Sequence, residues 1–323
     1  MQKFDWEVVI NSFDNTKVLV IGDAMIDSYI WGDIERNSPE APIPIVSAKK
    51  YEKKLGGAAN VALNIKSLGG SPILCTVIGN NDNGFFNLMN REKLTTKAIL
   101  QEERKTTTKT RIISNNTHQL RVDEEETSEI ECEKEFINLA ISLLDEIDVV
   151  VFQDYNKGVL TKNVIHTITE TANSKNKLIL VDPKEKNYFE YCNTTLFKPN
   201  LKELELSSKH TFESIEIKKI SEIIDRQMKI LKPKIMMITL SENGIFFKNK
   251  DEEFLSPVFE RKIIDVSGAG DCIIAILSLV INSNLDNQKI VKIANLCGGL
   301  ACEKVGVAKI NKQELIKEAN RLI

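Results

Sequence analysis

Val18–Ile21, Val149–Phe152, Leu178–Val181 and Ile235–Ile238 are each short runs that are apolar at every position. A strand with one wet face alternates apolar and polar residues. A strand apolar throughout must be covered on both faces, which is the situation inside a parallel sheet. Helical patterns fall between these runs, near 161–174 and 214–231, as βαβ units require. The expected fold is therefore α/β, with a doubly wound, mostly parallel central sheet flanked by helices. Ligands of such sheets collect outside the carboxyl ends of the strands. Polar residues cluster just there: Asp23 and Asp27, Asp154, Asp182 with Lys184, Asn200 with Glu203, and Thr239.

The remaining elements follow the same logic. Trp6, Val9, Ile10 and Phe13 recur at helical spacing within 1–16 and predict a packing helix. Gly56-Gly57 leads into a helix that Gly69-Gly70 ends, and further helices are expected over 82–91, 127–144, 287–304 and 311–322. Gly244–Phe247 and Glu253–Leu255 read as a short antiparallel pair. Two segments break the α/β rhythm. Residues 28–50 hold Pro39, Pro42 and Pro44, which exclude a helix and a central strand and leave an edge strand or flap. Residues 104–125 are rich in β-branched residues about a turn at Asn115-Asn116, a hairpin pattern. Together they predict a small β lid on a single domain spanning 1–323.

The net charge of -3, without a basic tail, argues against nucleic acid or an anionic membrane surface as partner. The amino terminus has no signal-peptide pattern, and the longest apolar run falls far short of the ~20 residues needed to span a bilayer, so a cytoplasmic protein is expected. Six cysteines without a C-x-x-C pair and only three histidines speak against structural zinc and for reduced core thiols.

The richest stretch chemically is Asp265-Val266-Ser267-Gly268-Ala269-Gly270-Asp271, followed by an apolar run. If a helix starts here, its free N–H groups and positive dipole end favour an anion. A carboxylate at that spot would be repelled by phosphate, so Asp271 suits proton abstraction better than capping. A plain glycine turn beside an Asp reads equally well from these residues alone. No Walker A loop is present, and the dinucleotide-binding glycine fingerprint is missing.

Gly22–Asp27, Gly56–Ala62 and Asp265–Asp271 resemble, in order, the successive signatures of the ribokinase-like (PfkB) carbohydrate kinases. Within that family the chain is most similar to D-glycero-β-D-manno-heptose 7-phosphate kinases, through Ser38–Ile45, Gln119–Asp123, Asp154–Gly158, Val181–Lys184 and Pro199–Glu203. Asn156, Cys272 and Lys198 depart from the pattern. The resemblance implies transfer of the ATP γ-phosphoryl group to a sugar C1 hydroxyl, with Asp271 as general base and Gly268, Ala269 and Gly270 as the anion hole. It implies a sugar clamp of Asp27, Gly56, Gly57 and Asn60. Arg111, Arg121 and Lys157 are candidate cations for the sugar's phosphate, although exposed hairpin charge explains both arginines as well. Gln119, Asp154 and Lys184 join the substrate side. Asn200, Leu201, Lys202 and Glu203, with Thr239, are implied on the nucleotide side, Glu203 acting on Mg²⁺ through water; a capping box would use Asn200 and Glu203 too. Asp265 is the implied place for K⁺. A homodimer through the β lid is expected. Other sugar phosphates, or a sugar-binding protein without catalysis, are the competing readings. Some relatives carry a nucleotidyltransferase domain after the kinase.

Overall fold

The computed structural model describes residues 4–115 and 117–323; Asn116 of the expected turn, and Met1–Lys3 of the expected first helix, lie outside them. The four all-apolar runs become β1 (Lys17–Gly22) and three strands beyond the first inserted sheet. That insertion is β2 (Ala24–Asn37) and β3 (Pro44–Gly57), followed by β4 (Ser71–Gly79) and β5 (Ile99–Glu102). The hairpin is β6 (Thr108–Ser114) and β7 (Thr117–Glu124). Then come β8 (Val149–Gln153), β9 (Leu178–Asp182), β10 (Leu196–Phe197), β11 (Ile235–Thr239), β12 (Ile245–Asn249) and β13 (Glu253–Ser256).

Nine strands form one sheet in the order β13-β12-β11-β10-β9-β8-β1-β4-β5. Pairing is parallel from β5 to β11, and β12 and β13 close the edge antiparallel. Alternate residues of each central strand enter two separate cores. Val18 and Val20 join one, Leu19 and Ile21 the other; Val149 and Val151 divide likewise from Val150 and Phe152. This two-sided burial is why the runs have no polar positions. The first core is covered by α1 (Trp6–Asn11), α2 (Ala58–Ser67), α3 (Asn83–Arg91), and, from the end of the chain, α8 (Ala269–Val280), α9 (Asn287–Cys302) and α10 (Lys312–Leu322). The second is covered by α4 (Glu133–Leu143), α5 (Lys162–Ser174), α6 (Leu201–Ser208) and α7 (Ile217–Leu231).

Two expectations need correction. The helix expected from 127 starts at 133, because residues 128–132 are captured by tertiary bonds. The Ile130 N–H donates to Gly158 O, and the Glu102 carboxylate accepts from the N–H groups of Glu131 and Cys132. The first inserted segment is also longer than 28–50: β2 and β3 run from 24 to 57, with only 38–43 between them. These strands and the hairpin form a second sheet, ordered β3-β2-β6-β7. The proline-bearing β3 takes its edge, where a missing N–H costs no ladder bond. All six cysteines are free. Among the described residues, no helix is long and apolar enough to cross a membrane.

Candidate active site

β1 has β8 on one side and β4 on the other, so the strand order reverses there. Such a switch point opens a crevice at the carboxyl ends of the strands. A cavity of about 670 Å³ lies at this edge and extends over β9, β10 and β11 toward α8 and α9. α8 begins at its floor. Gly268 caps the helix with φ of 78°, a left-handed conformation suited to glycine. The N–H groups of Gly270 and Asp271 have no intrahelical acceptor by position, and they provide donors at the positive end of the helix. Ala269 contributes less than the sequence implied, since its N–H donates to Val266 O at 3.3 Å. A methyl group added at Gly270 would sit 3.7 Å from Asp182 Oδ2 and 3.9 Å from Lys198 Nζ, so both side chains border the helix start.

Asp271 is 2% exposed. Its Oδ2 accepts from Asn60 Nδ2 at 2.8 Å; its Oδ1 accepts from Tyr155 OH at 2.7 Å and Gln153 Nε2 at 3.3 Å. Burial pushes this carboxyl up to about 7, the Asn60 and Tyr155 bonds oppose the rise, and the Asp182 and Asp27 carboxylates add to it. Such a group is half-ionised near neutral pH, the range that suits a general base.

On the far side of Asp271 from the cavity, α2 and the second sheet supply the other polar residues. Gly57, at φ 57°, ends β3 and caps α2, which carries Asn60 to Asp271. Asp27 in β2 pairs with Arg111 in β6. Burial raises the Asp27 carboxyl and Arg111 opposes that rise. Gly56 pairs with Met25 across β2–β3 and lies diagonal to Asp27, so any side chain there would meet the Asp27 carboxylate. Arg111 is thus engaged as the partner of Asp27. Arg121 is exposed and pairs with Asp123 at 2.9 Å. Lys157 pairs with Glu125 at 2.8 Å. The Gln119 amide donates to the carbonyls of Ser114 and Thr117 within its own hairpin. The Asp154 carboxylate is used up by Asn156 N, Asn187 Nδ2 and Tyr191 OH, and burial beside Asp23 pushes it up to about 6. Neither Gln119 nor Asp154 lines the cavity.

At the opposite end, Asn200 and Glu203 form a full capping box on α6: Asn200 Oδ1 accepts from Glu203 N at 2.9 Å, and Glu203 Oε2 accepts from Asn200 N at 2.8 Å. Glu203 Oε1 pairs with Lys184. Both carboxylate oxygens therefore have protein partners, which fits contact with Mg²⁺ through water rather than direct ligation. Among the described residues, no three acidic, His or Cys side chains converge on one metal position. Thr239 bridges to Asn200 and lines the cavity. Lys202 is exposed and Leu201 half-buried, and neither lines it. Asp265 ties its loop together, Oδ1 accepting from Ser267 N at 2.9 Å and Oδ2 from Gly306 N at 2.8 Å, with His118 Nε2 at 3.4 Å.

Four groups at the site had no assigned role in the sequence: Gln153, Tyr155, Asp182 and Lys198. Lys198 is 2% exposed and bonds Asp182 Oδ1 at 2.9 Å. Their shared signal was position immediately at strand ends, which also marks ordinary loop residues.

A glycine-started helix, a buried carboxylate in its first turn and a lysine-bordered cavity define a phosphotransferase-type site on a doubly wound sheet. The fold is that of phosphofructokinase-2 from Escherichia coli, solved with substrates and products, at a TM-score of 0.79 with 18% identity over 95% of this chain and 99% of that one. The family model described as pfkB family carbohydrate kinase matches residues 15–314, and the chain belongs to that family. It is thereby a sugar kinase, and the family implies ATP as phosphoryl donor. It is 36% identical over 310 residues to the bifunctional protein HldE of Helicobacter hepaticus, and 38% over 305 residues to that of Helicobacter pylori strain J99. Both comparisons cover 93% of this chain, and the chain spans 63% and 65% of those relatives' lengths.

Proposed function

We propose that this chain phosphorylates the C1 hydroxyl of D-glycero-β-D-manno-heptose 7-phosphate with ATP, giving the 1,7-bisphosphate used to build nucleotide-activated heptose for lipopolysaccharide or a related surface glycan. The observation that carries the reading is Asp271: a buried carboxylate raised to about 7, at the open N-terminus of α8, between a nucleotide-sized cavity and the Asp27–Asn60 cluster. The choice of heptose rests on the segments shared with heptose 7-phosphate kinases and on the HldE relatives.

In this reading Asp27, Gly56, Gly57 and Asn60 hold the sugar hydroxyls, and Asp271 takes the C1 proton, an effect typically worth ~10²–10⁴ in rate. The N–H groups at the start of α8, with Lys198 and Lys184 beside them, hold the phosphate oxygens and stabilise charge in the transition state. Mg²⁺ on the nucleotide would be met through water by Glu203 and neutralises phosphate charge when bound. Asp265 would hold a monovalent cation such as K⁺ next to the anion hole. Lys157 and Arg121 answer the 7-phosphate. The second sheet acts as a lid and as the contact with a second copy of the chain, in the cytoplasm.

The test is turnover by purified protein with Mg-ATP and a panel of heptose 7-phosphate, fructose 6-phosphate and ribose. Heptose 7-phosphate is expected to give the highest kcat/KM by at least tenfold. Preferred turnover of a hexose phosphate would overturn the heptose assignment and leave the kinase class standing.

A further inference from the structure

An ionised carboxylate offers about four lone-pair sites, two on each oxygen. On Asp271 they are unequally used. Oδ1 holds two donors, the Tyr155 phenol at 2.7 Å and the Gln153 amide at 3.3 Å, whereas Oδ2 holds one, the Asn60 amide at 2.8 Å. Only Oδ2 has a site left for a further proton. The phenol that creates this asymmetry is itself firmly placed. Tyr155 N–H donates to Asp23 Oδ2 at 2.8 Å, Lys157 N–H to the same oxygen at 3.1 Å, and Val159 N–H to Asp23 Oδ1 at 3.1 Å. Asp23 is 1% exposed, so one buried carboxylate organises the whole loop after β8. The next residue, Asn156, is held at φ 55° with its N–H on Asp154 Oδ1, which fixes the turn that presents the phenol. Lys184 Nζ lies 5.8 Å from the centroid of the Tyr155 ring on the cavity side.

We infer that Tyr155 is a positioning residue for phosphoryl transfer: by filling Oδ1 it assigns Asp271 Oδ2 as the atom that takes the sugar proton, and it sets the pH at which that base becomes available. The inference rests on the kinase reading above. In the step, the sugar O–H bond breaks and its proton moves to Oδ2. The sugar oxygen bonds to the γ-phosphorus of ATP, the bond from that phosphorus to the bridging oxygen breaks, and ADP leaves with that electron pair. The proton then passes from Oδ2 to solvent. Burial and the neighbouring Asp271 and Asp182 carboxylates hold the phenol far above its ordinary range, so it remains a donor throughout. The other charged groups about Asp271 come in pairs: Asp182 of β9 with Lys198, and Asp27 of β2 with Arg111. Lys184 is paired with Glu203. Tyr155, like Asn60 and Gln153, is a neutral partner of Asp271, and it makes the shortest of the three bonds, so its removal changes the base without unbalancing a charge.

The full chain is used for the test, with kcat measured from pH 5.5 to 9.5 at saturating Mg-ATP and sugar phosphate. Losing a hydrogen bond to the charged form moves a carboxyl up by about one unit, so Tyr155→Phe should lose about fivefold in kcat at pH 7 and recover to within about twofold above pH 9. KM for both substrates should hold. Placing 3-fluorotyrosine at position 155, a stronger donor of the same shape, should move the acid limb the other way. In parallel, with [¹³C]aspartate-labelled protein, the Asp271 carboxyl signal, identified by its loss in Asp271→Asn, should titrate about one unit higher in Tyr155→Phe. An unmoved carboxyl titration, or a change in KM alone, overturns the inference. A displaced titration in a protein that turns over no sugar phosphate overturns the kinase reading instead.

Discussion

Asp271 carries two consequences at the scale of one residue. A carboxyl raised from 3.8 to about 7 binds a proton in the native chain that the unfolded chain has already released. Between those values the folded state holds more protons, so stability falls as pH rises from about 4 to 7, by on the order of 4 kcal/mol if this group acted alone. In the proposed mechanism activity runs the opposite way, because Asp271 as base must lose that proton. Asp271→Asn removes both effects. The variant should keep ATP and sugar binding, lose at least ~10²-fold in turnover, and show a flatter stability curve over this pH range in denaturant titrations. Near-normal turnover would remove Asp271 from the chemistry. The sequence placed this residue at a helix start beside two glycines. It could not reveal the depth of burial, nor that Asn60, Gln153 and Tyr155, up to 211 positions away, converge on one carboxylate.

At the scale of elements, the strands were legible because burial on both faces forbids polar residues; the helix starts expected at 82 and 161 fall on the caps Asp82 and Thr161, and Asn200 with Glu203 forms the capping box that the sequence offered. What escaped depends on distant partners. β5 carries only four residues and is defined by pairing with β4. The start of α4 is delayed by Glu102 and Gly158. The α6 cap is structural and its Asn200 lines the cavity, and two variants test whether it also meets ATP. Asn200→Ala loses the cap and should cost about 1 kcal/mol in thermal or chemical unfolding. Asn200→Asp keeps a good cap, so stability should hold, while an extra negative charge at the cavity raises KM for ATP severalfold. Equal ATP affinity in the Asp variant would confine Asn200 to folding.

For the whole molecule, the second sheet has two unlike faces. Residues directly opposite share a face, so Tyr29 and Arg111 turn with Asp27 toward the body, where Tyr29 OH accepts from Val307 N. The register puts Tyr51, Ile30, Ile112 and Leu120 in one row on the other face. Tyr51 is 73% and Leu120 58% exposed, an unusual outlay of apolar surface. A second copy presenting the same row would cover it by twofold symmetry. Leu120→Lys should therefore shift the protein from dimer to monomer by light scattering, and a monomeric parent chain would contradict the assembly. None of this was visible as a surface in the sequence, where these four residues lie on four strands of two separate insertions.

The β2–β3 excursion leaves the frame after Asp23 and returns at Ala58, and the Ala58 N–H bonds Asp23 O at 3.0 Å, so its two ends are pinned together. A stretch joined at its base in this way behaves as a cassette. Its length, tip and outer face are free to drift or be exchanged while the frame holding Asp271 and the helix start stays put. In the kinase reading, Asp27, Gly56 and Gly57 of the sugar clamp lie on this excursion and Asp271 on the frame, so part of the specificity can change without a change of chemistry.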